Sequence, residues 1–314
     1  MAEVRVRFTN IFDVAGVEPM PELSATESLR LTDEFGDRLT AIVTNPYDSD
    51  IATAGVSAVA YDASGEIIGG GKSFIRGLPA GERAGAVMQL VSSGEVASLE
   101  LYPMLYEFNV PPERWPSDVA PLVVKQSGWG DDTVGFTIEN PNERYAFKDA
   151  TISITAYNAN DQVVGVTDLS YLWLMPNQTT GFARLLSTVG DEVAERLDIH
   201  IVAPELYEPQ EPFSPFEVEN VQVTEEAMGS ATQYTLTFDV INPYAREIEA
   251  YQDCRVAILA YDAAGEIIGA NQEDIGENLP PSGRLSLEKR TYLREPPARF
   301  EIFVNPERAF FDEE

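Results

Sequence analysis

The sequence is short of the residues from which most enzyme and metal sites are built. Its 314 residues include one cysteine, Cys254, and one histidine, His200. A single cysteine excludes an intrachain disulfide, and the pair cannot supply the usual four ligands of a zinc site. Cys254 stands in an apolar strand pattern, which predicts a small buried residue. Strand alternation places His200 opposite Ile199 and Ile201, so we expect a solvent-facing residue and not a catalytic base.

Catalytic motifs and long apolar runs are also missing. There is no Gly-x-Ser-x-Gly elbow, and Gly69-Gly-Gly71 follows a strand pattern instead of opening a helix. No stretch of about 18 apolar residues is present, and the first residues lack the apolar core of a signal peptide. We therefore expect no enzyme activity, no catalytic residue, no bound cofactor and no direct insertion into a membrane.

Basic residues are scarce relative to acidic ones. The chain has 21 Lys and Arg against 52 Asp and Glu, a formal net charge of -31. Such a surface repels phosphate backbones and anionic lipid headgroups, so nucleic-acid and membrane-surface partners are disfavoured. Two interpretations remain: the charge keeps the protein soluble or reflects an acidic host proteome, or it meets cations or a basic partner.

Three landmarks recur three times in a constant order. Tyr61-Asp-Ala-Ser-Gly-Glu-Ile-Ile-Gly69 and Tyr261-Asp-Ala-Ala-Gly-Glu-Ile-Ile-Gly269 differ at one position, and Tyr157-Asn-Ala-Asn-Asp-Gln-Val-Val-Gly165 is a diverged copy. An Asn-Pro pair lies upstream of each copy and a loop proline lies downstream. The pairs are Asn45-Pro46, Asn140-Pro141 and Asn242-Pro243, and the loop prolines are Pro79, Pro176 and Pro280.

Each landmark has a structural meaning. The runs on either side of Asn-Pro alternate with a period of two, which predicts β-strands, and Asn-Pro ends the first strand. The Tyr-Asp segment then predicts a tight hairpin turn with a positive φ at Gly65 and Gly265. In the diverged copy, Asn160-Asp161 can take the same conformation.

The fold class predicted from these units is all-β, with three tandem immunoglobulin-like sandwiches in an elongated array. Pro-rich connectors are expected to act as semi-rigid spacers. The predicted boundaries are an N-terminal arm at 1–26, unit one at 27–107, a linker at 108–117, unit two at 118–206, a linker at 207–213, unit three at 214–306, and an acidic tail at 307–314.

The order of strand, Asn-Pro, strand, Tyr-Asp-x-x-Gly-x-(Ile/Val)-(Ile/Val)-Gly and proline loop resembles the FxLYD domain and the related WHy domain of late-embryogenesis-abundant proteins. The resemblance covers all three units. The Phe and Leu positions of the family are occupied by other residues: Ala58, Ala60, Ile154, Ala156, Ile258 and Ala260. The family implies exported, envelope-associated proteins of bacteria or archaea without catalysis. It also suggests a cytoplasmic protective protein as a further option.

The N-terminal arm contains a strand pattern of its own. Val4, Val6 and Phe8 alternate with polar residues, as the closing strand of unit three does from Arg299 onward. This segment packs on unit one, is the remnant of an upstream unit, or is donated as a strand to a neighbouring molecule.

Calcium is one ligand that the acidic loops suggest. The candidate ligands are Asp48, Asp50, Asp131 and Asp132. Calcium takes six to eight oxygen ligands and suits acidic loops between β units. The alternative interpretation is that these residues serve the turns in which they stand.

Carbohydrate is the other ligand that the sequence suggests. Tyr171 and Trp173 alternate on one strand, so an exposed pair would form a stacking platform for a sugar. The alternative is that Trp173 belongs to the core of unit two, and that Trp115 and Trp129 hold neighbouring units together.

The function predicted from the sequence is a non-enzymatic spacer and protein-interaction protein of the cell envelope or extracellular space. Its partners are expected to be another protein or a second copy, bound through exposed strand edges. A carbohydrate- or calcium-binding surface module is the alternative, and a cytoplasmic location is the alternative to export.

Overall fold

A computed structural model describes residues 22–33, 36–108, 116–130, 132–186, 188–190, 192–203, 205–209, 213–250 and 254–306. These ranges are all-β: they hold nineteen strands in antiparallel sheets and contain no helix. Accordingly, no helix in the described ranges has the length and apolar character needed to cross a membrane.

The strands fall into three groups along the chain. The group of unit one is β1 (Ser24–Asp33), β2 (Gly36–Thr44), β3 (Ile51–Tyr61), β4 (Ile67–Leu78), β5 (Arg83–Ser92) and β6 (Ser98–Phe108). The group of unit two is β7 (Val123–Gly130), β8 (Thr133–Glu139), β9 (Ala146–Tyr157), β10 (Val163–Leu174), β11 (Thr179–Leu185), β12 (Arg196–Val202) and β13 (Glu205–Tyr207). The group of unit three is β14 (Glu217–Met228), β15 (Ala231–Ile241), β16 (Cys254–Tyr261), β17 (Ile267–Asp274), β18 (Arg284–Leu293) and β19 (Arg299–Pro306).

One topology repeats in the three groups. The first, second and fifth strands form one sheet, which we call the front sheet, and the fourth, third and sixth form the back sheet. The front sheets are β1-β2-β5, β7-β8-β11 and β14-β15-β18, and the back sheets are β4-β3-β6, β10-β9-β12 and β17-β16-β19. In unit one the two sheets are also joined where Gly69 and Gly70 of β4 pair with the end of β5.

Each pair of sheets encloses a hydrophobic core of its own, giving a β-sandwich-like architecture. The predicted alternation is visible in the burial of β15, where Tyr234, Leu236, Phe238 and Val240 point inward between exposed or half-buried neighbours. Cys254 is buried in the core of unit three, as expected from its apolar surroundings.

The repeated Asn-Pro does more than end a strand. Asn45, Asn140 and Asn242 are at most 1% exposed. In unit one, the Asn45 amide donates to the carbonyl oxygen of Ser49 at 3.0 Å and to that of Pro79 at 2.9 Å. Its Oδ1 accepts the backbone N–H of Tyr47. The amide therefore ties the loop after the second strand to the loop after the fourth.

The other two units repeat this arrangement of hydrogen bonds. Asn140 donates to the carbonyls of Tyr145 and Leu174, and Asn242 donates to those of Arg246 and Pro280. A buried amide must have hydrogen-bond partners, and a side chain of this length reaches both loops at once.

The Tyr-Asp hairpin turns have the predicted backbone. Gly65, Gly265 and Asp161 have positive φ values of 81°, 87° and 60°. In unit one, Oδ1 of Asp62 accepts the N–H groups of Ser64 and Glu66, a bonding pattern that its counterparts in units two and three repeat.

The three units lie face to face. From the sequence, contact between neighbouring units was expected only through Trp115 and Trp129. β5 and β4 of unit one contact β9 and β10 of unit two, while β7, β8 and β11 of unit two contact β17 of unit three. The strands also pass the predicted boundaries slightly, since β1 begins at Ser24 and β6 ends at Phe108. The units are therefore in contact, and the linkers, the elongated shape and the domain limits stay predictions.

Candidate interaction surface

The first junction joins the outer front face of unit one, together with β4 of its back sheet, to the outer back face of unit two. The backbone N–H of Gly85 donates to Oγ1 of Thr155 at 2.9 Å. A Cβ at Gly85 would lie 2.6 Å from Cγ2 of Thr155, so the absence of a side chain permits this approach. The backbone N–H of Val163 donates to Oγ of Ser28 at 2.7 Å on the same side.

The second junction repeats the first between units two and three. Gly181 of β11 lies against Phe303 and Leu259, where a Cβ would overlap the phenyl ring. Ala183, Leu259, Tyr261, Ile267 and Ala270 form a small buried cluster with Phe303 at its edge. The amide of Asn305 donates to the carbonyl oxygen of Gly181 at 2.7 Å across the junction.

Corresponding positions in the three units can be matched through strand pairing. Gly85, Gly181 and Ser286 each pair with the residue three before the buried asparagine of their unit. On the back sheets, Tyr102, His200 and Phe303 each pair with the residue four before the repeated tyrosine. His200 and Phe303 lie in junctions, so Tyr102 occupies the matching place in unit one.

The outer back face of unit one is uncovered in the described structure, and we call it the open face. Its residues are Ile67, Lys72, Phe74, Glu100, Tyr102 and Tyr106. Exposure shows the difference: Ile67 is 68% exposed, whereas the matching residues Val163 and Ile267 are 0% and 4% exposed. Phe74, Tyr102 and Tyr106 are each about half exposed.

The aromatic side chains of the open face are ordered by contacts with one another and with charges. The rings of Phe74 and Tyr106 lie 5.5 Å apart at 47°, and Nζ of Lys72 is 4.4 Å from the centre of the Phe74 ring. Tyr102 and Tyr61 both donate to Oε2 of Glu100, the second at 2.9 Å. These bonds stabilise the carboxylate and hold the pKa of Glu100 below its ordinary value.

The outer front face of unit three, which no described residue of another unit covers, is charged. Arg284 forms ion pairs with Glu219 at 2.8 Å and with Asp239 at 3.1 Å. Hydrogen bonds from Ser286 and Asn220 lower the pKa of Asp239, and the Arg284 charge adds to the effect. Ser286 stands where the junctions have Gly85 and Gly181, so this face lacks the glycine that permits close approach at a junction.

The predicted sugar platform of Tyr171 and Trp173 does not form. Trp173 is 4% exposed and packs with Ala146, Met175 and Tyr207, whereas Tyr171 is 61% exposed. The pairing of β10 with β9 shifts register on both sides of Leu172, and Tyr171 has a φ of 63°. This bulge breaks the alternation on which the shared face depended. Trp173 is therefore buried within unit two.

The acidic residues suggested for calcium lie in separate parts of the fold. Asp48 and Asp50 follow β2 of unit one, and Oδ1 of Asp50 accepts the N–H of Ala80 at 2.9 Å. Asp132 forms the turn between β7 and β8 with a φ of 65°. Within the described ranges, no three His, Cys, Asp or Glu side chains are grouped as metal ligands. Asp131 lies outside these ranges.

Other predicted residues have clear positions or lie outside the described part. His200 does face away from Ile199 and Ile201, but its Nε2 lies 3.1 Å from the carbonyl oxygen of Arg83, so it is a junction residue and not a freely solvated one. Trp129 is partly exposed beside the second junction. The strand-donation segment of Val4, Val6 and Phe8 lies outside the described residues, as does Trp115.

The open face was not predicted from the sequence, although a signal was present. Tyr102, Met104 and Tyr106 alternate along β6 with Leu101 and Leu105, so the strand carries large apolar groups on both faces. A strand with one solvated face normally alternates apolar with polar residues. The aromatic residues on the second face therefore indicated a surface able to bind.

No family model and no curated protein sequence matches this chain. Among solved structures, the chain is similar to a red sea bream transglutaminase with 15% identity and a TM-score of 0.20, covering 60% of this chain and 30% of that one. A beta-glucuronidase from glycoside hydrolase family 2 matches with 9% identity and a TM-score of 0.14, covering 78% and 25%. The chain thus spans less than a third of either enzyme, and neither similarity bears on its activity.

Proposed function

We propose that the protein is a non-enzymatic spacer and interaction protein of the cell envelope or extracellular space, built from three immunoglobulin-like sandwiches of the FxLYD kind. The repeated topology and the separate cores support this reading of the units. The proposed location is tested by fractionating the producing cells and detecting the chain outside the cytoplasm; recovery from the cytoplasm alone contradicts it.

The open face is the observation that carries the interaction function. In units two and three the matching face is covered by the preceding unit, and in unit one it exposes Ile67, Phe74, Tyr102 and Tyr106. Exposed apolar patches with aromatic groups mark interaction sites on soluble proteins. The chain as a whole has a formal net charge of -31, which opposes non-specific association.

A second copy of this chain is the occupant that we propose. In a two-fold dimer the open faces meet each other, so Lys72 of one copy can approach Glu100 of its partner, and the reverse. These two charges of opposite sign stand on β4 and β6, on either side of β3. Head-to-tail contact is disfavoured because the front face of unit three presents Arg284 and Asp239.

Sedimentation equilibrium on the full chain tests this dimer. The double variant Phe74→Lys and Tyr102→Lys is expected to weaken dimerisation at least about 100-fold, because aromatic residues at the centre of an interface supply most of its binding energy. The control is Tyr292→Lys, which changes a comparably exposed aromatic residue on the front face of unit three. Moderate salt is expected to strengthen the dimer by screening the repulsion between two acidic chains.

Three results would contradict the proposal. One is a wild-type chain that stays monomeric up to about 0.5 mM, a concentration at which even weak specific contacts are detected. The second is a double variant that dimerises as the wild type does. The third is equal loss of dimer in Tyr292→Lys, which would place the contact at the other end of the row.

A further inference from the structure

A groove lies where all three units meet, and each unit contributes an arginine to it. Arg76 comes from β4 of unit one, Arg184 from β11 of unit two and Arg255 from β16 of unit three. Its volume is about 310 Å³, and the edge strands β10 and β11 of unit two form its walls. Nothing in the repeat pattern predicts it, because no single unit contains the whole groove.

The charges in this groove leave a positive excess. Arg76 pairs with Asp168 at 3.7 Å, and Nε of Arg255 pairs with Oδ1 of Asp274 at 3.3 Å. Arg184 forms no ion pair with the described residues. In a chain with 52 acidic and 21 basic residues, three guanidinium groups on one small concave surface stand out against the composition.

The net negative charge of the protein does not prevent an anion from binding here. At physiological ionic strength, charges beyond about 8 Å are largely screened. The nearest groups therefore decide the local potential, and in this groove three guanidinium groups outnumber the carboxylates of Asp168 and Asp274.

Tyr171 provides a second, independent observation at the same place. It lines the groove, is 61% exposed and has a φ of 63°. A positive φ is unusual for a bulky residue, and bulges of this kind redirect a side chain beside functional sites. The bulge in β10 brings a flat apolar ring beside the arginines.

We propose that this groove binds a small carboxylate-bearing ligand. Arginine presents its N–H groups as a planar fork that matches the two oxygens of a carboxylate. Oε1 of Gln272 already accepts the N–H of Ala183 at 3.0 Å, which leaves its NH₂ group as a donor. The Tyr171 ring can cover an apolar ligand face. The binding site is separate from the open face and does not depend on dimerisation.

Isothermal titration calorimetry on the full chain tests the groove with three probes. Citrate carries carboxylates without a ring, D-glucuronate carries one carboxylate on a sugar ring, and D-glucose is the neutral sugar control. We expect citrate or D-glucuronate to bind more weakly as NaCl is raised, and D-glucose not to bind. If D-glucuronate binds and Tyr171→Ala weakens that binding, the ligand is a sugar acid. If only citrate binds, the ligand is a simple carboxylate.

The decisive variant is Arg184→Gln, which removes one guanidinium group without breaking an ion pair of the described structure. We expect it to weaken binding of the carboxylate probe at least about tenfold, as expected for a lost charge-assisted hydrogen bond. The matched control is Arg290→Gln, an exposed arginine on the front face of unit three that pairs with Glu288. Unchanged binding in Arg184→Gln overturns the proposal, as does the absence of binding by both carboxylates at millimolar concentration.

Discussion

The open face of unit one and the front face of unit three are the two ends of one row of units. The first exposes Ile67 and three aromatic side chains, and the second carries the ion pairs of Arg284 with Glu219 and Asp239. Between them, faces of the same strands are buried in two junctions. Corresponding strands therefore present apolar, charged or buried faces according to the position of their unit in the row.

The difference between the two ends follows a rule of repeat proteins. Stacked units need terminal faces that water tolerates, and polar residues at the last unit meet that need. The front face of unit three does so through the ion pairs of Arg284, although Tyr292 is exposed on it. The back face of unit one does not, which is why we interpret it as a binding surface.

The largest expected effect comes from placing a charge at a junction glycine. Gly181→Lys would drive a side chain into Phe303 and bury an unpaired ammonium group beside the apolar cluster of the second junction. We expect a loss of about 3–5 kcal/mol in the free energy of unfolding. The same change at the matching position of unit three, Ser286→Lys, should cost less than about 1 kcal/mol. Urea denaturation followed by circular dichroism measures both; equal losses would remove the distinction between junction and end.

An intermediate effect is expected when an isoleucine that units one and three have at the same position is replaced by alanine. Ile267→Ala removes a side chain that is 4% exposed and packs in the second junction. Large-to-small changes at such sites cost about 2–4 kcal/mol. Ile67→Ala changes a residue that is 68% exposed and should cost about 0.5 kcal/mol or less in the monomer. Thermal unfolding at low micromolar protein compares them; a large cost at Ile67 would show that the open face is covered.

The smallest effect is expected from a single hydroxyl group. Thr155→Val keeps the shape of the side chain but leaves the N–H of Gly85 without its acceptor. We expect a loss of about 1–2 kcal/mol, typical of a buried donor that loses its partner. The reciprocal change in unit one, Val59→Thr, adds a hydroxyl group where no unit covers the strand and should be nearly neutral. If both changes are neutral, the first junction does not depend on this bond.

Much of the local structure could be predicted from the repeats. The alternating runs predicted the strands, and the Tyr-Asp segments predicted positive φ at Gly65, Gly265 and Asp161, which the structure confirms. These features depend on residues close together in the chain, where turn chemistry and a period of two act directly. The burial of Cys254 was predictable for the same reason.

Features that depend on residues far apart could not be predicted in this way. Asn45 connects two loops through the carbonyls of Ser49 and Pro79. This role could not be predicted without knowing that both loops lie beside Asn45. The burial of Trp173 depends on a bulge in β10, which shifts the alternation of inward and outward side chains. No glycine or proline beside Leu172 predicts this bulge. The groove of Arg76, Arg184 and Arg255 draws on residues up to about 180 positions apart.

The reuse of one pair of faces has a consequence for how such a chain can grow. Both junctions join the front sheet of one unit to the back sheet of the next, so the row has a direction. A unit duplicated between existing units would place its back face against a front face and its front face against a back face, as in the present junctions. A copy added after the last unit would instead meet Arg284, Asp239 and Glu219. Within this row, insertion of a copy between units is therefore favoured over stacking of a copy on the front face of unit three.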